Sequence, residues 1–337
     1  MSEHAPRDVV PTGIHHVTMI AGDPQRNLDF YAGVLGMRLV KKTVNFDDPG
    51  TYHLYYGDET GTPGTLLTFF PWPNARRGRE GAGQFNAVSL AVPPESLGFW
   101  IERLVRTNVA HEPLATRFGE RVLAFRDPDG LRVEIVGSVA AARVVGLSGG
   151  PVPAEHAIRG VHAVTLWSDA PAATFALLVG SFGMHRAGFE DGTTRWRAAA
   201  DGGAGIGAFI DVRDVGGFWE GAMGAGTVHH VAWRVPDDES ELALRTTLLA
   251  AGMGATPVID RKYFHSVYFR EPSRSLFEIA TDSPGFTVDE PLDTLGESLV
   301  LPPWLEGERE RITAALPPLH TPSSGAANSY SDDEVHA

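Results

Sequence analysis

Residues 13–36 read GIHHVTMIAGDPQRNLDFYAGVLG, and the change of period inside this stretch decides the fold. Up to Asp23 the run of β-branched and apolar residues is that of a strand. Beyond it the apolar side chains fall at helical spacing, with Pro24 at the start and Gly36 at the end. The same switch returns at FNAVSLAVP (85–93), GVHAVTLWSD (160–169) and VHHVAWRVPD (228–237), each followed by an apolar-periodic stretch of helical length. Further strands close each unit and end in TLLTFFP (65–71), LRVEIVG (131–137), IGAFIDV (206–212) and SLFEIAT (275–281). The sequence therefore predicts an α+β chain of four tandem βαβββ modules.

Working outward, residues 1–11 form a short N-terminal arm and 12–140 hold the first pair of modules. An Ala-, Gly- and Pro-rich linker at 141–157 interrupts both periods. The second pair occupies 158–286. A C-terminal extension over 287–318 carries one amphipathic helix within LPPWLEGERERITAALPPL, and the polar residues 319–337 are expected to be disordered.

Composition narrows the partners. With 28 Lys plus Arg against 42 Asp plus Glu, a net charge of -14 repels nucleic-acid phosphates and anionic membrane surfaces. No apolar run of about 18 residues exists to span a bilayer, and MSEHAPRDVVPTG lacks a signal-peptide pattern, so a cytoplasmic protein is expected. Self-association into a homo-oligomer is left open. The absence of cysteine excludes thiolate metal sites and cysteine nucleophiles, so any metal must be held by His, carboxylate and water.

Laying the first strands over one another places His15, Asn86, His162 and His229 in one column and His16, Ala87, Ala163 and His230 in the next. The closing strands give a third column of Thr68, Glu134, Ala208 and Glu278. Only module four combines an imidazole in the second column with a carboxylate in the third, and module one adds a second imidazole. If those two modules pack together, His16, His230 and Glu278 converge. Two imidazoles and one carboxylate with open positions form the facial arrangement suited to non-haem Fe(II), where substrate and O₂ can both bind. Mn(II) and Zn(II) are compatible with the same ligands.

HHVT near the start, HHVAW in the second half and DRKYFHSVYFREPSRSLFEIATDSPGF together resemble the vicinal oxygen chelate superfamily. Within it they are similar to ring-cleaving dioxygenases of the dichlorohydroquinone type, over residues 12 to 305. The resemblance implies two cup-shaped half-barrels, an Fe(II) centre on His16, His230 and Glu278, and a small aromatic diol opened with O₂. It also implies supporting positions at His15, Thr18, His229 and Tyr268, with Arg261 the nearest counterpart of an arginine near the pocket. Here His15, His229 and Tyr268 are taken as acid/base groups, and Thr18, Arg261 and His265 as substrate contacts. Phe264, Tyr263 and Trp233 are candidates to stack a flat ring. One departure is EPSRS before Glu278, where the family carries a glycine turn, EPGG.

Other residues read as structural. His162 lacks support from the second column, Glu134 reads as a retained relic or an ion-pair partner, and Arg76, Arg77 and Arg79 read as a solvated loop. Two competing functions share the fold. A glyoxalase-type isomerase or lyase needs a fourth ligand where Thr68 stands, and a non-catalytic small-molecule binder needs no metal triad.

Overall fold

The computed structural model describes residues 9–198 and 206–320. Module one is β1 (Ile14–Ala21), α1 (Pro24–Leu28) running into a π-helical turn at Asp29–Val34, β2 (Arg38–Asn45), β3 (Asp48–Gly57) and β4 (Leu66–Pro71). Module two is β5 (Gln84–Val92), α2 (Leu97–Arg106), β6 (Ala115–Arg117), β7 (Glu120–Arg126) and β8 (Arg132–Gly137). Module three is β9 (Gly160–Ser168), α3 (Pro171–Gly180), β10 (His185–Glu190), β11 (Thr193–Arg197) and β12 (Phe209–Asp214). Module four is β13 (Thr227–Val235), α4 (Asp238–Ala250), β14 (Ile259–Asp260), β15 (His265–Arg270) and β16 (Leu276–Thr281). The extension carries α5 (Arg309–Ala315). Most of the 1–11 arm and of the 319–337 tail lies outside the described residues.

The strands form two curled eight-stranded sheets. One runs β14-β15-β16-β13-β1-β4-β3-β2 and the other β10-β11-β12-β9-β5-β8-β7-β6. Modules one and four thus build the first half-barrel and modules two and three the second, so each half-barrel takes one module from either side of the 141–157 linker. Antiparallel seams join the modules: β1 to β13 with Thr18 opposite His230, and β5 to β9 with Ser89 opposite Ala163.

The half-barrels grip each other reciprocally at the starts of β1 and β9. Gly13 and Gly160, at φ +140° and +142°, allow Ile14 N–H to donate to Gly207 O at 2.8 Å and Val161 N–H to Gly64 O at 2.9 Å. A Cβ at either glycine would lie within 2.9 Å of the accepting carbonyl oxygen, which requires glycine there. Phe85 stacks on Phe277 across the two sheets, and the turn at Asp127–Gly130 of module two holds module one. There Tyr31 Oη donates to Asp127 at 3.0 Å and Gly22 N–H to Asp129 at 2.9 Å.

Helices cover the outer faces. Trp100 of α2 and Leu244 and Leu248 of α4 are fully buried, and Trp233 packs between Phe182 and Phe277. Trp233 is therefore core and stacks no substrate. Arg76, Arg77 and Arg79 are exposed; Arg79 donates to Glu220 O at 3.1 Å, and backbone bridges pair Arg77 with Ala225 and Arg79 with Ala222. No helix among the described residues is long and apolar enough to cross a membrane.

Register corrects one sequence column. Parallel pairing sets Thr68 beside Thr18, Glu134 beside Ser89 and Glu278 beside Ala232, each two residues past the second-column position. In module three that place belongs to Asp211, beside Thr165, and not to Ala208. The closing strand starts at Phe209, because glycines obscure its beginning in the sequence. The centre of the second half-barrel is consequently rich in carboxylates and holds no second-column imidazole. Arg117 bonds Glu134 and approaches Asp211, while Arg195 clamps Asp211 at 2.7 and 2.8 Å and reaches Glu120 at 2.9 Å. His162 also bonds Glu120, at 2.9 Å, so His162 and Glu134 are structural as expected.

Candidate metal centre

β1 and β13 lie side by side at the middle of the first sheet, and β16 flanks β13, so this seam brings the three expected ligands together. His230 Nε2 is 2.8 Å from Glu278 Oε2, His16 Nε2 is 3.4 Å from the same oxygen, and the two Nε2 atoms are 3.3 Å apart. All three side chains are buried. Three ligands placed cis around one first-row ion, with bonds of about 2.1 Å, stand roughly 3 Å apart, close to these separations. Glu278 Oε1 accepts from Ser266 Oγ at 2.5 Å, whereas buried Oε2 makes no hydrogen bond of good geometry and faces the imidazoles. The donor set fits a divalent cation.

Burial opposes the charge on Glu278, but the two imidazoles outweigh it and hold the carboxyl well below its usual range. It is an anion at neutral pH. His15 decides which nitrogen of His16 is free. Its Nε2 lies 3.1 Å from Thr281 O, and a carbonyl only accepts, so His15 carries its proton on Nε2. His15 Nδ1 must then accept from His16 Nδ1–H at 2.9 Å, which leaves the His16 Nε2 lone pair aimed at the centre. Burial, with His16 alongside, pushes His15 well below its normal pKa and keeps it neutral. His15 does not line the cavity, so the geometry makes it a positioning residue for His16 and not an acid/base group.

Above the ligands opens a cavity of about 310 Å³, the size of a single-ring ligand site. Phe46, Phe70, Trp72 and Phe264 give it apolar walls, and His53, Tyr55, His229, Arg261 and Tyr268 give it polar ones. His229 Nδ1 sits 2.7 Å from His230 Nδ1, and burial together with His230 brings His229 down to about 3. Burial raises the Tyr268 phenol, so it stays protonated. Arg261 donates to Tyr268 Oη at 3.3 Å, lies over its ring and pairs with Asp47 at 3.0 Å.

Three expected contacts are not made. Thr18 is fully buried beneath the cavity, with its hydroxyl 2.7 Å from Thr68 Oγ1. His265 points to the opposite face of β15 from Ser266 and Tyr268, because neighbours in a strand alternate, and it pairs with Asp238 at 2.7 Å. Tyr263 is turned away to Asp289 at 3.1 Å. The sequence reading missed His53 and Tyr55. They occupy alternate positions of β3, with His53 Nε2 3.0 Å from Thr68 Oγ1 and His53 Nδ1 2.8 Å from Tyr55 Oη. The signal was the alternation in YHLYY, where His53 and Tyr55 face one side and Tyr52, Leu54 and Tyr56 the other.

Paired βαβββ modules cupping two histidines and a glutamate define a protein of the vicinal oxygen chelate fold with a candidate metal centre. Residues 13–135 match the Glyoxalase/Bleomycin resistance protein/Dioxygenase superfamily. Over 306 residues the chain is 49% identical to "Putative ring-cleaving dioxygenase MhqO" of Bacillus subtilis, covering 91% of this chain and 96% of that protein. It is 36% identical to the chlorohydroquinone/hydroquinone 1,2-dioxygenase of Sphingobium indicum, covering 90% and 95%. A crystal structure of a Bacillus subtilis "putative dioxygenase" superposes with a TM-score of 0.86 at 48% identity, covering 92% of this chain and 98% of that one. Glyoxalase I from Zea mays, with a TM-score of 0.62 at 15% identity and 85% and 97% coverage, shares the fold alone. The chain belongs to the Glyoxalase/Bleomycin resistance protein/Dioxygenase superfamily and stands there among the ring-cleaving dioxygenases, which are oxidoreductases.

Proposed function

We propose that the protein is an Fe(II)-dependent ring-cleaving dioxygenase that opens a small hydroquinone- or catechol-type diol with O₂. The observation that carries this reading is the convergence of His16, His230 and Glu278 at the base of an aromatic-walled cavity large enough for one ring. Bound there, Fe(II) supplies a seat for a phenolate oxygen and the electrons that activate O₂.

The chain's own groups orient and protonate. Phe46, Phe70, Trp72 and Phe264 stack against a flat ring and exclude water. With His230 ligating through Nε2, its Nδ1–H would donate to His229 Nδ1, so that neutral His229 presents Nε2–H to the cavity as a hydrogen-bond donor. Tyr268, held by Arg261, donates its hydroxyl hydrogen to an oxygen developing charge on the substrate. The relative from Sphingobium, named for chlorohydroquinone and hydroquinone, supports a para-diol as substrate. The glyoxalase-type alternative lacks its fourth ligand, since the Thr68 hydroxyl is engaged by Thr18 and His53.

Protein purified anaerobically, loaded with Fe(II) and given a panel of hydroquinones and catechols should consume one O₂ per ring opened in an oxygen electrode. A lack of oxygen uptake across the panel, with Mn(II) as well as Fe(II), would sink the proposal.

A further inference from the structure

His265 leaves the cavity for the helix-covered face of the sheet, and there it meets the first turn of α4. Asp238 and Glu241 stand three residues apart on that turn and share one face. Neither carboxylate caps the helix, a task performed by Asp237, whose side chain accepts Ser240 N–H at 2.9 Å. Asp238 Oδ1 lies 2.7 Å from His265 Nδ1, and one ligand atom from each of Asp238, Glu241 and His265 falls within 4.8 Å of the others.

Glu241 is the informative member. It is fully buried, yet neither carboxylate oxygen has a hydrogen-bond partner, and no Lys or Arg among the described residues pairs with it. A buried carboxylate without donors is costly, so such a group is satisfied by a cation or by retaining a proton. Asp238 is largely exposed and His265 about one-third exposed, which gives an ion a path from solvent to Glu241.

We propose that Asp238, Glu241 and His265 form a second divalent-cation site, separate from His16, His230 and Glu278. Two carboxylate oxygens and one imidazole nitrogen, with room for water on the exposed side, suit a first-row divalent ion such as Mn(II) or Zn(II). The ion ties the start of α4 to β15 and compensates four acids packed into the five residues 237–241.

The test is equilibrium dialysis of chelator-stripped, full-length protein against manganese(II) chloride, with bound manganese counted by elemental analysis. Glu241→Gln and His265→Gln should each bind one equivalent fewer than wild type, and His16→Ala should lose a different one, so that His16→Ala/Glu241→Gln loses two. If Glu241→Gln and His265→Gln, folded by circular dichroism, bind as many equivalents as wild type, the second site does not exist and Glu241 holds a proton instead. The count lost with Glu241→Gln is independent of the count lost with His16→Ala, so this inference and the proposed function can fail separately.

Discussion

His15 and His16 are the same side chain one residue apart, and the strand gives them different work. Alternation turns them to different surroundings, so His16 offers a lone pair to the centre while His15, anchored on Thr281 O, fixes the tautomer of its neighbour. Removing an orienting partner of this kind costs roughly 10- to 100-fold in metal affinity. His15→Ala should therefore keep its metal stoichiometry but weaken binding by that amount, whereas His16→Ala should lose the ion altogether; competition with a coloured chelator distinguishes the two. Tyr268→Phe should retain metal at full affinity and lower kcat by on the order of 10²- to 10⁴-fold, the usual worth of a positioned proton donor. Unchanged kcat in stopped-flow oxygen consumption would remove Tyr268 from the reaction. The convergence of His16, His230 and Glu278 was legible because modules two and three carry alanine where modules one and four carry histidine. Thr18 was misplaced because a residue on the correct face of β1 can still be closed off from the cavity, here with its hydroxyl bonded to that of Thr68 on the neighbouring strand, and sequence spacing carries no depth.

Strands and turns explain the other differences. His265 adjoins Ser266, which bonds Glu278, yet a period of two sends it to the other face. The EPSRS turn before β16 puts Arg274 in the left-handed region that favours glycine, at φ +74°, with its N–H bonded to Glu271 O at 2.7 Å. Arg274 also pairs with Asp169 at 2.8 Å, so the turn survives a residue poorly suited to that backbone. The Asp127–Gly130 turn carries a pH signature. Burial, with Asp129 beside it, raises Asp127 from its usual range to about 6. Between about pH 4 and pH 6 the folded protein therefore binds more proton than the unfolded chain, so this carboxyl's contribution to stability falls as pH rises and levels off above pH 6. The displacement corresponds to ~3 kcal/mol. Asn at this position accepts the same backbone N–H groups without titrating. Urea midpoints measured from pH 4 to pH 7 should show Asp127→Asn gaining on wild type through that window, and parallel curves would refute the assignment.

At the scale of the molecule the two half-barrels use one architecture in two ways. The first gathers two imidazoles about a single carboxylate and leaves space above them. The second fills the corresponding place with Arg117 and Arg195 against Glu134, Asp211 and Glu120. Arg195→Met should leave buried Asp211 short of its partner and destabilise the protein by about 3–5 kcal/mol in urea unfolding, with metal content unchanged. Equal loss of metal would mean that the half-barrels do not behave separately. The four modules and their order were legible from repeated periodicity. Which modules share a sheet was fixed only conditionally, because adjacency in sequence favours pairing one with two, and the long-range β1–β13 seam leaves no local mark.

That seam has a consequence for how the protein comes into being. His16 and His230 stand 214 positions apart, and Glu278 comes later still. During translation the first histidine emerges early and waits until most of the chain has left the ribosome before its two companions exist. A product terminated before Glu278, however well its opening modules collapse, lacks part of the donor set. Synthesis as far as the fourth module is thus a precondition for these three side chains to meet.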